Sequence, residues 1–366
     1  MNNTKRYSNF NATMAIAKAS FRSIIRSPSA VVFSLAFPLI FIVVFANIGG
    51  SGVTVDVGVT KTTDTTSQVY QALKNYKVIH LITDQSADEM AKSLSKGNID
   101  AIIDIKQGNT TPPVNMHVQY TEASQQKGGI FKSLLQSLFF QINSRGNTVT
   151  QPVAQMTETT VKGREYKYID FILPGMLGFS LLSSGVFGTA FVFLSLRLTL
   201  VIKRFFATPV KKYSIVLGEA LARLVFSLLG AVFIILVGHY MFGFTLVHGI
   251  VTVINMLILA SIGLIIFMGF GFTISGIAKN ESTVPPLSNI ITLPQFLLSG
   301  TFFATTAFPT WLQSISKILP LTYLNDAMRK VAFEGAGLNE VTHQLLILGI
   351  WFIVIYAIAV KTFKWE

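Results

Sequence analysis

The chain has 366 residues, of which 51% are hydrophobic and only 13% charged, with 30 phenylalanines, no cysteine and a formal net charge of +12. A soluble globular protein carries roughly 25% charged residues, so this balance and a mean hydropathy of +0.56 exclude an ordinary soluble enzyme, and a disordered chain would be poor in hydrophobes. The lack of cysteine excludes disulfide frameworks, thiolate metal sites and cysteine nucleophiles, leaving an integral membrane protein.

In chain order, residues 1–28 place Phe10, Met14, Ala17, Phe21, Ile24 and Ile25 on one helical arc, with Lys18, Arg22 and Arg26 around the other side. That is the pattern of a helix lying along a membrane surface, stopped at Pro28. A spanning helix needs about 20 mostly apolar residues. Six stretches qualify: residues 30–48, 169–196, 215–242, 250–278, 285–303 and 344–360. The first, placed in a 29–48 segment, follows too long a polar stretch, and ends in too poor a cleavage site, for a signal peptide; it reads as an uncleaved anchor.

Between the first two spans, residues 49–167 read as a small α+β domain. Strands are expected at 53–59, 77–83, 100–105 and 114–120, and helices at 67–76, 86–97 and 128–144, with Ser86 as a cap and Gly97 as a stop. Asp84, Asp88, Glu89, Asp100 and Asp104 lack the spacing of a calcium loop and read as solvated faces. His80 and His117 fall in strand patterns and read as packed rather than metal-bound.

Lysine and arginine flanking short loops stay cytoplasmic. Lys5, Arg6, Lys18, Arg22 and Arg26 precede the first span; Arg197, Lys203, Arg204, Lys211 and Lys212 separate the second from the third; Lys279, Lys361 and Lys364 lie on the same side. The opposite loops are uncharged at 243–249 and balanced at 304–343. Both termini are therefore expected in the cytoplasm of a multi-pass protein of the plasma or inner membrane, and the 49–167 domain outside it. The positive charge sits at helix ends, where it meets anionic lipid, and not on a basic soluble face of the kind nucleic acid requires.

Gradient-driven carriers need ionisable groups at mid-membrane, but Asp170, Glu219, Arg223 and Lys279 fall near span ends. Glu219 and Arg223, four apart on one helix face, can satisfy each other at the interface. His239 reads as a capped, interfacial histidine. No Gly-Lys dipeptide occurs, so these residues hold no Walker A loop, and uphill transport would need energy from another polypeptide. Two features could receive it: the N-terminal amphipathic helix and the basic connection 196–213, LRLTLVIKRFFATPVKKY. The fifth span begins at Pro285 and Pro286, is expected to be interrupted at Pro294, and is followed by LSGTFF and a helical but polar stretch. Residues 298–335 read as one or two re-entrant helices, since irregular backbone at membrane depth must be buried in protein or line a cavity.

The segments YIDFILPGMLGFSLLSSGVFG, RLTLVIKRFFATPV and LSGTFFATTAFPTWLQSISKILPLTYLNDAMRKV resemble the permease subunits of ABC exporters of the ABC-2 type. VDVGV and GNIDAIIDI resemble the external domain that longer members insert after the first span. The resemblance implies a bundle of six transmembrane helices with an extracytoplasmic α+β insertion, 168–366 supplying five of the helices. It makes residues 1–28 an elbow helix (Phe10, Met14, Phe21, Arg22, Arg26). Arg197, Lys203, Arg204, Thr208 and Pro209 become the contact with a separate ATPase subunit, present in two copies that bind ATP and Mg. Pro294, Gly300, Phe302, Trp311, Pro320, Tyr323 and Arg329 become an outer gate. A second permease, identical or homologous, would complete the complex, this chain itself binding no cofactor and carrying no catalytic residue. The expected function is ATP-driven export of an amphipathic or lipophilic cargo such as a drug, antibiotic or lipid. A gradient-driven carrier, and a membrane-anchored receptor acting through its external domain, are the alternatives.

Overall fold

The computed structural model describes residues 8–27, 32–48, 54–76, 78–107, 114–145, 154–161, 167–199 and 209–363. They belong to two compact units, residues 1–49 with 168–366, and residues 50–167.

The first unit is helical. Helix α1 (Asn9–Ile25) is followed by a π-helical turn, Val32–Ala36, that runs into α2 (Phe37–Ile48). After the second unit come α6 (Tyr168–Ser183), a second π-helical turn (Ser184–Gly188) and α7 (Thr189–Leu198), which form one 31-residue run. Then follow α8 (Lys212–Phe242), α9 (Ile250–Ile277), α10 (Val284–Leu298), α11 (Thr310–Ser316), α12 (Pro320–Arg329) with a third π-helical turn at Lys330–Glu334, and α13 (Thr342–Thr362). Among the described residues, the 168–198 run, α8, α9 and α13 are long and apolar enough to cross a membrane. Their limits lie within three residues of those the hydropathy pattern suggests. The stretches expected to form the first and fifth spans are shorter. At about 1.5 Å per residue, the 15 residues of α10 reach about 22 Å, less than the roughly 30 Å of a hydrocarbon core.

One expectation for α10 is corrected. Pro294 does not interrupt the helix, which continues to Leu298. Pro294 is exposed, so its ring projects away from the protein, and the only amide lost is the one that would have bonded back toward Ile290. The chain breaks instead after Ser299, where Gly300 adopts a φ of +71°, a left-handed conformation open to glycine without steric cost.

The second unit holds a five-stranded sheet in the order β2-β1-β3-β4-β5, built from β1 (Val55–Val59), β2 (Ile79–Ile82), β3 (Ala101–Gln107), β4 (Val114–Thr121) and β5 (Ala154–Val161). Only the β3–β4 pair is antiparallel, with Asp104 opposite His117. Helices α3 (Gln68–Asn75) and α5 (Gln125–Arg145) pack on one face through Val69, Leu73, Phe131 and Leu135; α4 (Ala87–Ser95) packs on the other through Met90 and Leu94. The Ser86 cap forms a reciprocal capping box with Glu89, which satisfies two orphan helix donors. β5 is an edge strand whose side chains from Thr157 to Thr160 are exposed. Its polar pattern carries no apolar alternation, so the sequence reading placed no strand there. His80 is not packed: its side chain is 61% exposed, and Nδ1 lies 3.0 Å from Asp56 Oδ1.

Asp100 is buried where β3 enters the sheet. It accepts hydrogen bonds from the Asp56 amide at 2.8 Å and from the Ser124 hydroxyl, with Lys127 Nζ at 3.4 Å. Burial raises its pKa above the usual carboxylate value, against the opposing pull of Lys127 and the two hydrogen bonds. For Asp104, hydrogen bonds from Thr62 and Thr60 and the charge of Lys106 outweigh the upward push of burial and leave its pKa lowered. Because folding raises the Asp100 pKa, the folded unit holds its proton more tightly than the unfolded chain. Stability contributed by Asp100 is therefore full below about pH 3.8 and is lost as pH rises through the raised value. Asp104, with its lowered pKa, acts in the opposite sense as pH falls below about 3.8. The intact chain carrying Asp100→Asn should exceed wild type in protection of the β3 amides at neutral pH, and the gap should close on acidification. Hydrogen exchange corrected for intrinsic rates measures this.

Candidate functional site

Helix α10 is amphipathic in an inverted sense. Ser288, Thr292, Gln295 and Ser299 are buried, whereas Ile290, Leu293 and Leu297 are exposed. Hydroxyls turned inward with aliphatics outward suit a helix whose outer face meets lipid or another apolar surface. Beyond it, the turn Ser299–Thr301 is tied to the rest of the unit from several sides. Asn325 of α12, fully buried, donates from Nδ2 to the Ser299 carbonyl at 3.1 Å and to Thr301 Oγ1 at 3.4 Å. Arg329, at the end of α12, donates from Nε and Nη2 to the Phe171 carbonyl at 3.1 and 3.0 Å, and from Nη2 to the Gly300 carbonyl. Its guanidinium carbon lies 3.7 Å from the centre of the Phe171 ring. The Tyr168 hydroxyl donates to the Phe302 carbonyl at 2.8 Å, and the Ser316 hydroxyl to the Leu298 carbonyl. A planar fork that bonds two carbonyls while stacking on a ring is a role arginine fills and lysine does not.

A ladder of rings continues from this turn. Phe37, Phe41 and Phe45, one turn apart on α2, meet Phe179 of α6, Phe296 of α10, and Phe302, with centroids 4.0 to 6.4 Å apart. Most of these rings are half-buried; Phe302 is buried.

Of the residues expected at an outer gate, the structure therefore brings together Gly300, Phe302 and Arg329. Pro320 is buried at the start of α12, and the Tyr323 hydroxyl donates to the Lys317 carbonyl at 2.6 Å, bracing the α11–α12 corner. Trp311 is 67% exposed, and Pro294 faces outward. Asn325, Asp170 and the phenylalanine ladder went unrecognised. Asp170 is fully buried and accepts from the Thr245 amide at 2.7 Å. The i, i+4, i+8 spacing of Phe37, Phe41 and Phe45 was the available signal for the ladder.

At the other end of the long helices, Arg197 donates to the Ala278 carbonyl, joining the ends of α7 and α9. Pro209 is exposed in the turn before α8. Lys203, Arg204 and Thr208 lie outside the described residues. Helix α1 packs along the first half of α8. Thr13 and Ile16 border Gly218, Ile24 and Phe21 meet Ala222 and Phe226, and Ser20 donates to Glu219. The apolar arc is thus divided between two environments. Ala17 and Ile24 face protein, whereas Phe10 and Met14 remain exposed, as do Arg22 and Arg26. His239 is exposed, with Nδ1 2.8 Å from the Phe244 carbonyl beyond its helix.

The charges of Glu219 and Arg223 act on each other, but their hydrogen bonds go elsewhere. Glu219 accepts from Ser20, while Arg223, buried in the fourth turn of α8, donates to the Ser184 carbonyl at 3.2 Å and the Gly188 carbonyl at 2.8 Å. Its burial demands several acceptors, and the π-helical turn beside it supplies carbonyls.

The profile of the ABC-2 family transporter proteins matches residues 28–361. The chain belongs to the ABC-2 transporter family. ABC transporter G family member 20 of Dictyostelium discoideum is 26% identical over 375 residues, covering 95% of this chain and 50% of that protein. The inner membrane transport permease YadH of Escherichia coli K12 is 22% identical over 55% of this chain and 75% of its own length. The probable multidrug ABC transporter permease YbhR of the same strain is 21% identical over 38% of this chain and 37% of its own. The chain thus spans about half the length of the Dictyostelium relative. Family membership and the four long apolar helices make it a membrane permease of the ABC-2 type.

Truncating Arg329 to alanine leaves the Phe171 and Gly300 carbonyls without this donor, and should cost about 2 kcal/mol, which corresponds to roughly 3 °C in a protein of this size. Thermal unfolding in detergent measures it; Arg329→Lys, lacking the fork, should recover less than half.

Proposed function

We propose that this ABC-2 permease is the transport subunit of an ATP-driven exporter, paired with a second permease and worked by two separate ATPase subunits that carry ATP and Mg. One observation carries the reading. The end of the bundle where α7 stops, α8 begins and α9 and α13 finish also holds α1, and there the described basic residues Arg22, Arg26, Arg197, Lys211, Lys212, Lys279 and Lys361 gather. In this reading that end faces the cytoplasm, with both termini. Residues 196–213, with Arg197, Lys203, Arg204, Thr208 and Pro209, dock on the ATPase, and α1 is the elbow helix that follows the motion. α2 with the π-helical turn before it, and α10 with the turn after it, complete six crossings together with the four long helices, and the sheet unit lies outside the cell membrane.

The opposite end, with Ser299–Thr301 cross-tied by Asn325 and Arg329, is the outer gate. The phenylalanine ladder and the aliphatic outer face of α10 present uncharged, polarizable surface, which suits an amphipathic or lipophilic cargo such as a drug, antibiotic or lipid. The similarity to YbhR, a probable multidrug ABC transporter permease, supports that class.

Removing residues 201–212 should abolish co-purification with the ATPase, as read by affinity capture of the intact chain from membranes. Unchanged co-purification would count against this contact. If export survives ATP depletion and collapses with an uncoupler, a gradient-driven carrier replaces the present reading.

A further inference from the structure

The buried arginine of α8 has no role in the reading above. Arg223 is 6% exposed, and its two terminal nitrogens reach the first and last carbonyls of the π-helical turn, at Ser184 and Gly188. A π-helical turn holds one residue more than the α-helix around it and leaves a carbonyl outside the regular ladder, and such turns mark places where a helix can change register. The guanidinium occupies the space above the Gly188 Cα. A methyl group at position 188 would overlap the Arg223 guanidinium. Beside it, the hydroxyls of Ser184 and Ser227 lie 3.0 Å apart, a second tie between the turn and α8. The far side of the turn is equally tight, since Gly185 abuts Phe267 and Met268 of α9. One helical turn before Arg223, Glu219 accepts from Ser20 of α1. Two sets of polar contacts therefore sit one helical turn apart on α8, Glu219 with α1 and Arg223 with the π-helical turn, and the charges of the two side chains act on each other across that distance. The π-helical turn is the base of α6, whose far end is held by Arg329 at the Phe171 carbonyl.

We propose that Arg223 is a positioning residue for coupling. It latches the Ser184–Gly188 turn in its π-helical register, and movement of α1 and the start of α8 withdraws it. Released, the turn relaxes toward α-helical hydrogen bonding and passes its extra residue along the run. That displaces α6 by about 1.5 Å and about 100° per residue of register. The displacement reaches the Phe171 carbonyl and so loosens the Arg329 tie to Gly300. Glu219 faces Ser20 and the charge of Arg223, and the Arg223 guanidinium faces carbonyls, so the latch works by exchange of hydrogen-bond acceptors. This inference rests on the transport reading, because the motion it transmits is that of an ATPase-driven elbow and coupling segment.

The test uses the full-length chain together with the ATP-binding cassette subunit that co-purifies with it, in lipid nanodiscs. Hydrogen exchange is followed for peptides covering residues 180–190, with and without ADP and vanadate. In the wild-type complex, trapping should change exchange at Ser184–Thr189 by about fivefold or more, as expected of a local opening equilibrium that shifts. Two variants should lose that response while still capturing the ATPase: Arg223→Lys, which cannot bridge both carbonyls, and Gly188→Ala, which keeps the arginine but fills its place. Their double variant should be no worse than either alone, since both remove one interaction. A wild-type complex whose exchange at the turn ignores vanadate overturns the proposal even if neither variant folds. Variants that respond as wild type overturn it as well. If no ATPase is captured by the wild-type chain, the transport reading falls, and this inference falls with it.

Discussion

Polar groups inside the helical unit must find their partners within the protein, because the surrounding hydrocarbon offers none and each unmet group costs several kcal/mol. That constraint accounts for the placement of Arg223 and Arg329. Arg223 and Arg329 each leave their own helix to bind carbonyls on the α6–α7 run, at Ser184 and Gly188 in one case and at Phe171 in the other. The first target is the π-helical turn, where the irregular backbone supplies the carbonyls and the arginine the donors. The second lies in the first turn of α6, three residues before Pro174.

The two ends of the bundle differ in the chemistry they gather. One collects basic side chains around α1, the end of α7 and the start of α8. The other collects carbonyl-bound turns, ring stacks and the left-handed Gly300. Helix α10 belongs to the second set, with Ser288, Thr292, Gln295 and Ser299 turned inward and aliphatics outward. Leu287, Ile291 and Phe296 of the same helix pack against the apolar core between these polar positions.

Hydropathy alone located the four long helices within a few residues, because a run of apolar side chains about 20 residues long has few other fates. It also marked the stretches that became the short α2 and α10. In the sheet unit, β1 to β4 and the three helices were legible from alternation, caps and breakers. β5 was not, since an exposed edge strand such as Gln155–Thr160 has no buried face to impose a period on its residues. Gly300, Phe302 and Arg329 were grouped by the resemblance to ABC-2 permeases, and the structure brings Arg329 onto the Gly300 carbonyl. Asn325 looked like any polar residue on an amphipathic helix, and only its contact with the Ser299–Thr301 turn distinguishes it.

Glu219 and Arg223 illustrate where local reasoning stops. Four residues apart on one helix, they have the spacing of an ion pair, yet α1 takes the glutamate and the π-helical turn takes the arginine. Spacing along a helix specifies which face a side chain leaves from, while the neighbours that pack there select its partner. A membrane-embedded, cysteine-free helical body, an inserted α+β segment and the crowding of positive charge at one set of helix ends follow from composition and periodicity alone. Which carbonyls the buried arginines serve, which way α10 turns its hydroxyls, and the unbroken helix at Pro294 emerge when the helices pack. Those outcomes depend on contacts between residues tens to hundreds of positions apart, and no local pattern encodes them.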